Sequence, residues 1–569
     1  MLGVIITTTF AFTLYVLVAL VLFIQKKQKK TIIKNSIYIF VIGFIIMGGL
    51  LYLIMPAITI PNILLLNVIV AAIFTPTLYF MIEKGEKSKK SGTLIISSIF
   101  AVSVLGLIVV FVAGFTVLDD AHQSINKEVQ DQAEPLNKDD TPIAVAPESA
   151  RNKMQKAMSV VPNPQYYDLG KLQVQKIDGN IVYVAPLEFT GFWKYVRGKE
   201  TEGYFTIEAT NVNAQPDYVE SNMMYTNSSY FSKNIKRVIY NEYPHYIQSG
   251  EAQVEVDDDG KPWYVQSLYQ PMSITNKPDL SNVKVAVIDP VTGDLSLYDT
   301  DKAPEFIEGS VSSELAEQQN NYFGKYVHGW LNSVFGKKDV RIPNDSGTEK
   351  SVTPIFDESG EMSYFTDMTS PKENIDSALG YTLINARTGK LTYYNGDMNN
   401  GIMDSEGAKQ IVNKEFPEKN WKGSMPILYN IDGNPTWVVN VLDPNGLFKR
   451  YAYIDASDSD FVVFGDTARG TLDSYRIALQ QDPSKVEASD DVKVETRSGT
   501  VNRVIVITNE TARTVQFLLV DDDTIYTLNA SNAPLALFLK EGDQVTMQVK
   551  IRDQQVGIVE EIAIEGLNE

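Results

Sequence analysis

Val254-Glu255-Val256-Asp257-Asp258-Asp259-Gly260-Lys261-Pro262-Trp263-Tyr264-Val265 reads as two strands folded about a turn. Apolar and β-branched residues alternate with polar ones on both arms, and the Asp-Gly pair supplies the positive φ that a tight hairpin needs. The same pattern returns as Tyr429-Asn430-Ile431-Asp432-Gly433-Asn434-Pro435-Thr436-Trp437-Val438-Val439. Each copy follows a helical stretch that stops at an aromatic-Pro pair, Tyr243-Pro244 in one and Phe416-Pro417 in the other, because the residue before proline is pushed out of the helical region. Asp404-Ser405-Glu406 supplies the cap for the second of these helices. Each copy then continues into a further strand run. One is Val285-Ala286-Val287-Ile288-Asp289-Pro290-Val291-Thr292-Gly293-Asp294-Leu295, the other Tyr451-Ala452-Tyr453-Ile454-Asp455 with Phe461 to Phe464.

Two weaker copies share the strand portion. Ile177-Asp178-Gly179-Asn180 leads to Gly203-Tyr204-Phe205, and Asp357-Glu358-Ser359-Gly360 leads to Gly380-Tyr381-Thr382. Repetition of this kind predicts tandem units of one helix packed on three or four antiparallel strands. The predicted boundaries are 148–227, 228–313, 314–403 and 404–470. Gly260, Trp263, Gly293, Gly433 and Trp437 define the pattern. The unit resembles the PepSY domain, with its helix ending in Tyr/Phe-Pro, its D-G hairpin carrying an aromatic, and its I-D-x-x-T-G-x-L strand. That resemblance implies an extracytoplasmic module that regulates or inhibits peptidases and carries no catalytic residues.

Outward from the repeats, the N-terminus is of another kind. Apolar runs near 3–24, 35–55, 62–82 and 93–117 contain no charged residue, and each has the roughly 20 residues needed to cross about 30 Å of hydrocarbon. Residues 1–118 carry nine Lys against two Glu and no Arg or Asp. The lysines sit mainly in Lys26 to Lys34 and in Lys84 to Lys90, and positive loops stay in the cytoplasm. Four spans with the N-terminus and everything after residue 118 outside follow from that charge pattern. Asn67 and Thr75-Pro76-Thr77 are the notable polar features of the spans, which reads as an anchor rather than an ion pathway. Residues 119–147 read as a polar stalk.

At the other end, 493–569 shows five strand-like runs, Val494–Thr508, Thr514–Val520, Thr524–Leu528, Gln544–Ile551 and Gly557–Ala563, the signature of a small OB-like barrel. The expected fold class is therefore a four-span α-helical membrane part, extracellular α+β repeats with helix on antiparallel sheet, and a small C-terminal β-barrel.

Composition narrows the chemistry. The net charge of −20 combines +7 over residues 1–118 with −27 over the rest, so nucleic acid is not an expected partner. Absence of cysteine excludes disulfides, thiol nucleophiles and Cys-based metal sites, and suits a Gram-positive envelope. Three histidines, His122, His245 and His328, have neither a GxSxG elbow nor an HExxH spacing beside them and read as packing or capping residues. Asp257, Asp259, Asp455, Asp458 and Asp460 are the weak calcium candidates, but they lack the calcium-loop spacing and suit solvated turns. No cofactor motif is present, and no catalytic residue is assigned.

The expected function is a non-enzymatic, multi-pass plasma-membrane protein that binds an envelope protein, a peptidase or assembly factor, through its repeats. The alternatives are an envelope enzyme or glycan-binding protein acting on the cell wall, with Trp193, Trp263, Trp330, Trp421 and Trp437 available to stack on sugars, and a membrane sensor or transporter component.

Overall fold

The computed structural model describes residues 2–26, 28–82, 90–131, 133, 136, 145–356, 360–372, 377–396, 400–481, 493–508, 513–530, 533–553 and 556–567. Most of the second lysine loop (83–89), Asp357 to Ser359 of the third repeat and parts of 132–144 lie outside them. Two compact units emerge: one comprises 1–132, 142–427 and 440–449, the other 133–141, 428–439 and 450–569.

The first unit begins with helices α1 (Leu2–Ala11), α2 (Thr13–Gln25), α3 (Lys29–Ile54), α4 (Ile60–Ile82) and α5 (Lys90–Gln123). Three are long and apolar enough to cross a membrane, and α1 with α2 makes a fourth when counted as one span bent by 41°. The sequence predicts one straight helix there. The backbone instead breaks around Phe12, whose ring is packed among Phe40, Phe44, Phe74 and Tyr15, and Gly43 leaves the room for it. In an unbroken helix the Leu14 N–H would donate to the Phe10 carbonyl. Asn67 on α4 replaces that bond from both sides: its Oδ1 accepts from the Leu14 N–H at 3.0 Å and its Nδ2 donates to the Phe10 carbonyl at 2.6 Å. A broken helix at membrane depth requires such satisfaction by neighbouring protein.

Residues 119–130, expected to begin a stalk, are ordered secondary structure. Helix α5 continues through Gln123, and Lys127–Gln130 pairs in parallel with Leu391–Tyr394 at the edge of a sheet. Three of the four strand residues are exposed, in keeping with the polar composition. Backbone pairing, to which composition is blind, supplies the order.

Four sheets follow the bundle in the chain, three in the first unit and a fourth most of whose residues belong to the second. In the first, strands Tyr167–Leu169, Asn180–Phe189, Thr201–Glu208 and Asp217–Met223 lie in that order, with Gln173–Ile177 also on Asn180–Phe189; α6 (Pro147–Ala157) precedes them and α7 (Phe192–Gly198) interrupts them. After α8 (Ile235–Glu242), the second sheet runs Leu295–Asp299, Pro278–Ile288, Pro262–Pro271, Ile247–Gln248, with Gln253–Val256 beside Pro262–Pro271. After α9 (Ser313–Lys325) and the short α10 (Gly329–Leu331), the third runs from Lys127–Gln130 through Leu391–Tyr394, Ser377–Asn385 and Met362–Thr369 to Ile342–Pro343. After α11 (Ser405–Glu415), the fourth has Lys422–Ile431, Asn434–Leu442, Phe448–Asp455 and Val462–Gly465 in chain order. Asp404 caps α11 by accepting the Gly407 N–H at 3.0 Å. Gly260 and Gly433 sit at equivalent hairpin turns with φ of 78° and 87°, a region that side chains avoid.

In the second unit, α12 (Ala468–Gln481) is a helix the sequence reading did not place. Its Leu472 and Tyr475 are buried, and the Tyr475 hydroxyl accepts a hydrogen bond from Thr436 at 3.0 Å. Five strands then close a barrel in the order Lys493–Thr508, Arg513–Leu519, Ile525–Asn529, Val556–Ile564, Gln544–Asp553. All pairs are antiparallel except Ile525–Asn529 with Val556–Ile564. Val515, Phe517, Tyr526, Leu528, Val545 and Val549 fill its core.

Candidate interaction site: an aromatic ledge held by a buried carboxylate

Strand Asn180–Phe189 ends in Glu188-Phe189 and feeds directly into α7, Phe192-Trp193-Lys194-Tyr195-Val196-Arg197-Gly198. Seven residues are too few for a self-sustaining helix, so α7 depends on its packing. Phe192 is the centre. It meets Trp193 at 5.3 Å, Tyr230 at 5.1 Å and Phe231 at 6.0 Å, all edge to face. Tyr195 packs on Tyr230 at 5.4 Å and on Phe189 at 5.6 Å. The cluster is not a core: Trp193 is 72% exposed and Phe231 56%. Phe231 also holds φ at +56°, an unfavourable setting for an aromatic residue that persists only where the surroundings impose it.

Glu188 imposes it. This carboxylate is buried and accepts from the Ser228 N–H at 3.0 Å and the Ser228 hydroxyl on one oxygen, and from the Tyr264 hydroxyl at 2.7 Å on the other. Ser228 in turn accepts the Phe189 N–H at 2.7 Å. One acidic side chain therefore ties the entry to α7, the loop that presents Tyr230 and Phe231, and the second sheet. Burial pushes the Glu188 carboxyl above its ordinary range, opposed by the hydrogen bonds from Ser228 and Tyr264.

The same device recurs at the next two junctions. Glu255 is buried and accepts the Glu308 N–H at 2.6 Å, the Gly309 N–H at 3.0 Å and Gln253 Nε2 at 2.8 Å. Burial raises both carboxyls here to about 7, and for Glu308 the nearby Glu255 adds to the rise. Arg387 closes that linker by donating to the carbonyls of Ala303, Pro304 and Ile307. Asp367 accepts the Ser405 N–H at 2.9 Å and the Ser405 hydroxyl at 2.8 Å, and burial raises it to about 6. In each case a strand carboxylate captures backbone amides of the segment leading into the next helix, so the sheets of this unit form a joined array. The oxygens of Glu188, Glu255 and Asp367 are occupied by protein donors.

The residues singled out in the sequence are elsewhere. Asp257 holds its own turn, accepting from Asp259 and Lys261 N–H groups at 3.1 and 2.9 Å and from Trp263 Nε1 at 2.8 Å. Asp455 accepts the Ser457 N–H at 2.8 Å, and Asp458 the Asp460 N–H at 3.1 Å. No group of three or more acidic or His side chains among the described residues is placed to hold a metal ion. Gly293 lies against the Tyr225 ring, where a Cβ would come within 2.3 Å. His328 pairs with Asp339 at 2.8 Å, His122 Nδ1 lies 3.0 Å from the Tyr322 carbonyl, and His245 Nδ1 lies 3.4 Å from that of Ile58. Of the five tryptophans, Trp437 is buried, Trp263 packs on Phe306, Trp421 on Phe416 and Trp330 on Phe115. Trp193 is the one of the five that is itself mostly exposed, and it joins the aromatic cluster of the ledge.

Sequence reading missed the carboxylates, although one signal was available: an acid enclosed by apolar neighbours on a strand, as in Leu187-Glu188-Phe189 and Val254-Glu255-Val256. It missed the ledge because Phe192-Trp193 and Tyr230-Phe231 are far apart in the chain and look like core.

No family model and no curated protein matches the chain. Among solved structures, a glycosyl hydrolase from Bacteroides ovatus aligns over 62% of this chain and 82% of its own at 10% identity and a TM-score of 0.18. A GH32 beta-fructofuranosidase of Bombyx mori aligns over 74% of this chain and 70% of its own at 8% identity and a TM-score of 0.16.

Proposed function

We propose that this chain is a multi-pass membrane protein that presents its aromatic ledge to a protein partner of the cell envelope. In this reading the four sheets are PepSY-like units, the terminal barrel is OB-like, both face outward, and the molecule regulates or assembles its partner without chemistry of its own. The ledge is the observation that carries it. Exposed, clustered Trp, Tyr and Phe on braced backbone are the composition of binding hot spots. Lys194, Arg197, Lys199 and Lys233 flank them on a strongly acidic chain, which selects a partner with acidic groups around apolar anchors. A photo-crosslinking residue at Val196 in the full-length protein is expected to trap one partner in membranes. Trp193→Ala and Phe231→Ala are expected to abolish the adduct while expression is retained. Trapping unaffected by either change, or a hydrolytic activity abolished by one carboxylate or serine substitution, would refute the reading.

Trp193 also favours a second reading, in which the ledge stacks on cell-wall sugar. Saturable retention of the protein on purified wall, lost in Trp193→Ala, would establish that one instead.

A further inference from the structure

Beyond the bundle, one more segment is built to meet lipid. Residues 329–338, Gly-Trp-Leu-Asn-Ser-Val-Phe-Gly-Lys-Lys, form α10 continued by a further helical turn through Gly336. Leu331, Val334 and Phe335 lie at i, i+3 and i+4, one helical face, and are 65%, 45% and 79% exposed. Their exposure is not slackness. His328 and Asp339 clasp the two ends at 2.8 Å, Asn332 Nδ2 donates to the Lys338 carbonyl at 2.8 Å, and the Lys337 N–H reaches the Asn332 carbonyl at 2.6 Å.

Position decides what covers this face. Gly329 seats against the Asp119 carboxylate, and Trp330 packs tilted on Phe115 at 4.6 Å, with Phe111 beyond it at 5.0 Å. The segment thus follows α5 one turn back toward the membrane. At 1.5 Å per residue, Phe115 is about 32 Å from Leu94, where the apolar span starts, which is the thickness of the hydrocarbon layer. We infer that residues 329–338 are an interfacial helix that lies in the headgroup boundary where α5 leaves the bilayer, burying Leu331, Val334 and Phe335 among acyl chains. Trp330 sits where tryptophan concentrates at membrane interfaces, and Lys337 and Lys338 are placed for anionic headgroups.

The inference rests on α5 being a span, and the test separates the two. Because the chain has no cysteine, single changes Leu331→Cys, Phe335→Cys, Val112→Cys and Val291→Cys can each carry an environment-sensitive fluorophore in the full-length protein. The protein is reconstituted in vesicles of phosphatidylcholine and phosphatidylglycerol. Val112 is on α5, and Val291 lies beyond the far end of strand Pro278–Ile288, about 35 Å from the hairpin tip at which Asn276 meets Thr59 and Asn62 of the bundle. Labels at 331 and 335 are expected to be quenched by shallow spin-labelled lipid about as strongly as the label at 112, and to be about tenfold less accessible to iodide than the label at 291. Iodide-accessible labels at 331 and 335 that lipid does not quench would overturn the interfacial helix while leaving the span. Shielding from both quenchers would mean protein covers the face, and would also overturn it. An unquenched label at 112 would remove the span and the inference with it.

Discussion

Replacing Glu188 by alanine tests whether one buried acid positions the ledge. The change removes the acceptor of the Ser228 N–H, the Ser228 hydroxyl and the Tyr264 hydroxyl in a site closed to water. Leaving a buried donor unsatisfied costs about 1–3 kcal/mol, and the hydroxyls can partly turn to other acceptors, so a net loss of about 2–4 kcal/mol is expected. The loss is local, because it falls where α7 and the 224–234 loop are held. Hydrogen exchange of the full-length protein in detergent, read on peptides covering 185–198 and 224–234, should accelerate by about 30-fold to several hundred-fold at 1.4 kcal/mol per tenfold. Glu188→Gln is the control. Its amide oxygen can serve Ser228 and its NH₂ can donate to a Tyr264 hydroxyl turned to accept, without the cost of a buried charge. Exchange within about threefold of the parent is expected for it. Should Glu188→Ala leave both peptides unchanged, the carboxylate does not brace the ledge and the reasoning fails.

The Glu255–Glu308 pair makes a pH prediction. A carboxyl raised above its unfolded value binds its proton more tightly in the folded state, so stability is greatest at low pH and falls as pH rises from about 4.5 toward 7. Thermal unfolding across that window should show this slope, and Glu308→Gln should reduce it and raise the midpoint above pH 7. Gly433→Ala meets no neighbouring atom, so it isolates backbone strain at φ 87° and should cost about 1 kcal/mol in a denaturation series, with Gly433→Asn costing less. Asn67→Leu leaves the Leu14 N–H and Phe10 carbonyl without their bridge, and should lower stability in detergent by about 1–3 kcal/mol, measured as the midpoint of heat-induced aggregation.

How far the sequence speaks depends on the range of the forces involved. Apolar length and charge-free runs are local properties, so the helices that can cross a membrane were legible, as were the barrel strands between their turns. The break at Phe12 was not, because no Gly or Pro marks it. It arises from a ring cluster contributed by α3 and α4 and from Asn67, 53 residues beyond the Leu14 N–H that it caps. Helix α12 was overlooked because its signal, Leu472 and Tyr475 facing inward, emerges only once a sheet exists to receive them. The ledge is the extreme case. Phe192 and Phe231 look like core residues in isolation, and only the three-dimensional arrangement shows that Trp193 beside them is mostly exposed.

These contacts also bear on what the helices are for. An anchor needs apolar length and nothing more, yet this bundle is fastened at several points to α8, the turn that follows it and a hairpin tip of the second sheet. The Arg237 guanidinium lies 3.7 Å over the Tyr52 ring and donates to the Tyr52 carbonyl at 2.7 Å. The Ile58 N–H donates to the Pro244 carbonyl at 2.7 Å, and Asn276, on a hairpin tip, meets both Thr59 and Asn62. Gly3 at the start of α1 packs on Tyr240 and Pro244, at the end of α8. Helix α8 begins four residues after Phe231. Helix α1 thus packs on α8, and α8 follows the ledge loop closely in the chain. Orienting the ledge to the bilayer needs no stalk in such an arrangement. On the proposed reading, the packing of α1 and α3 against α8 would set that orientation.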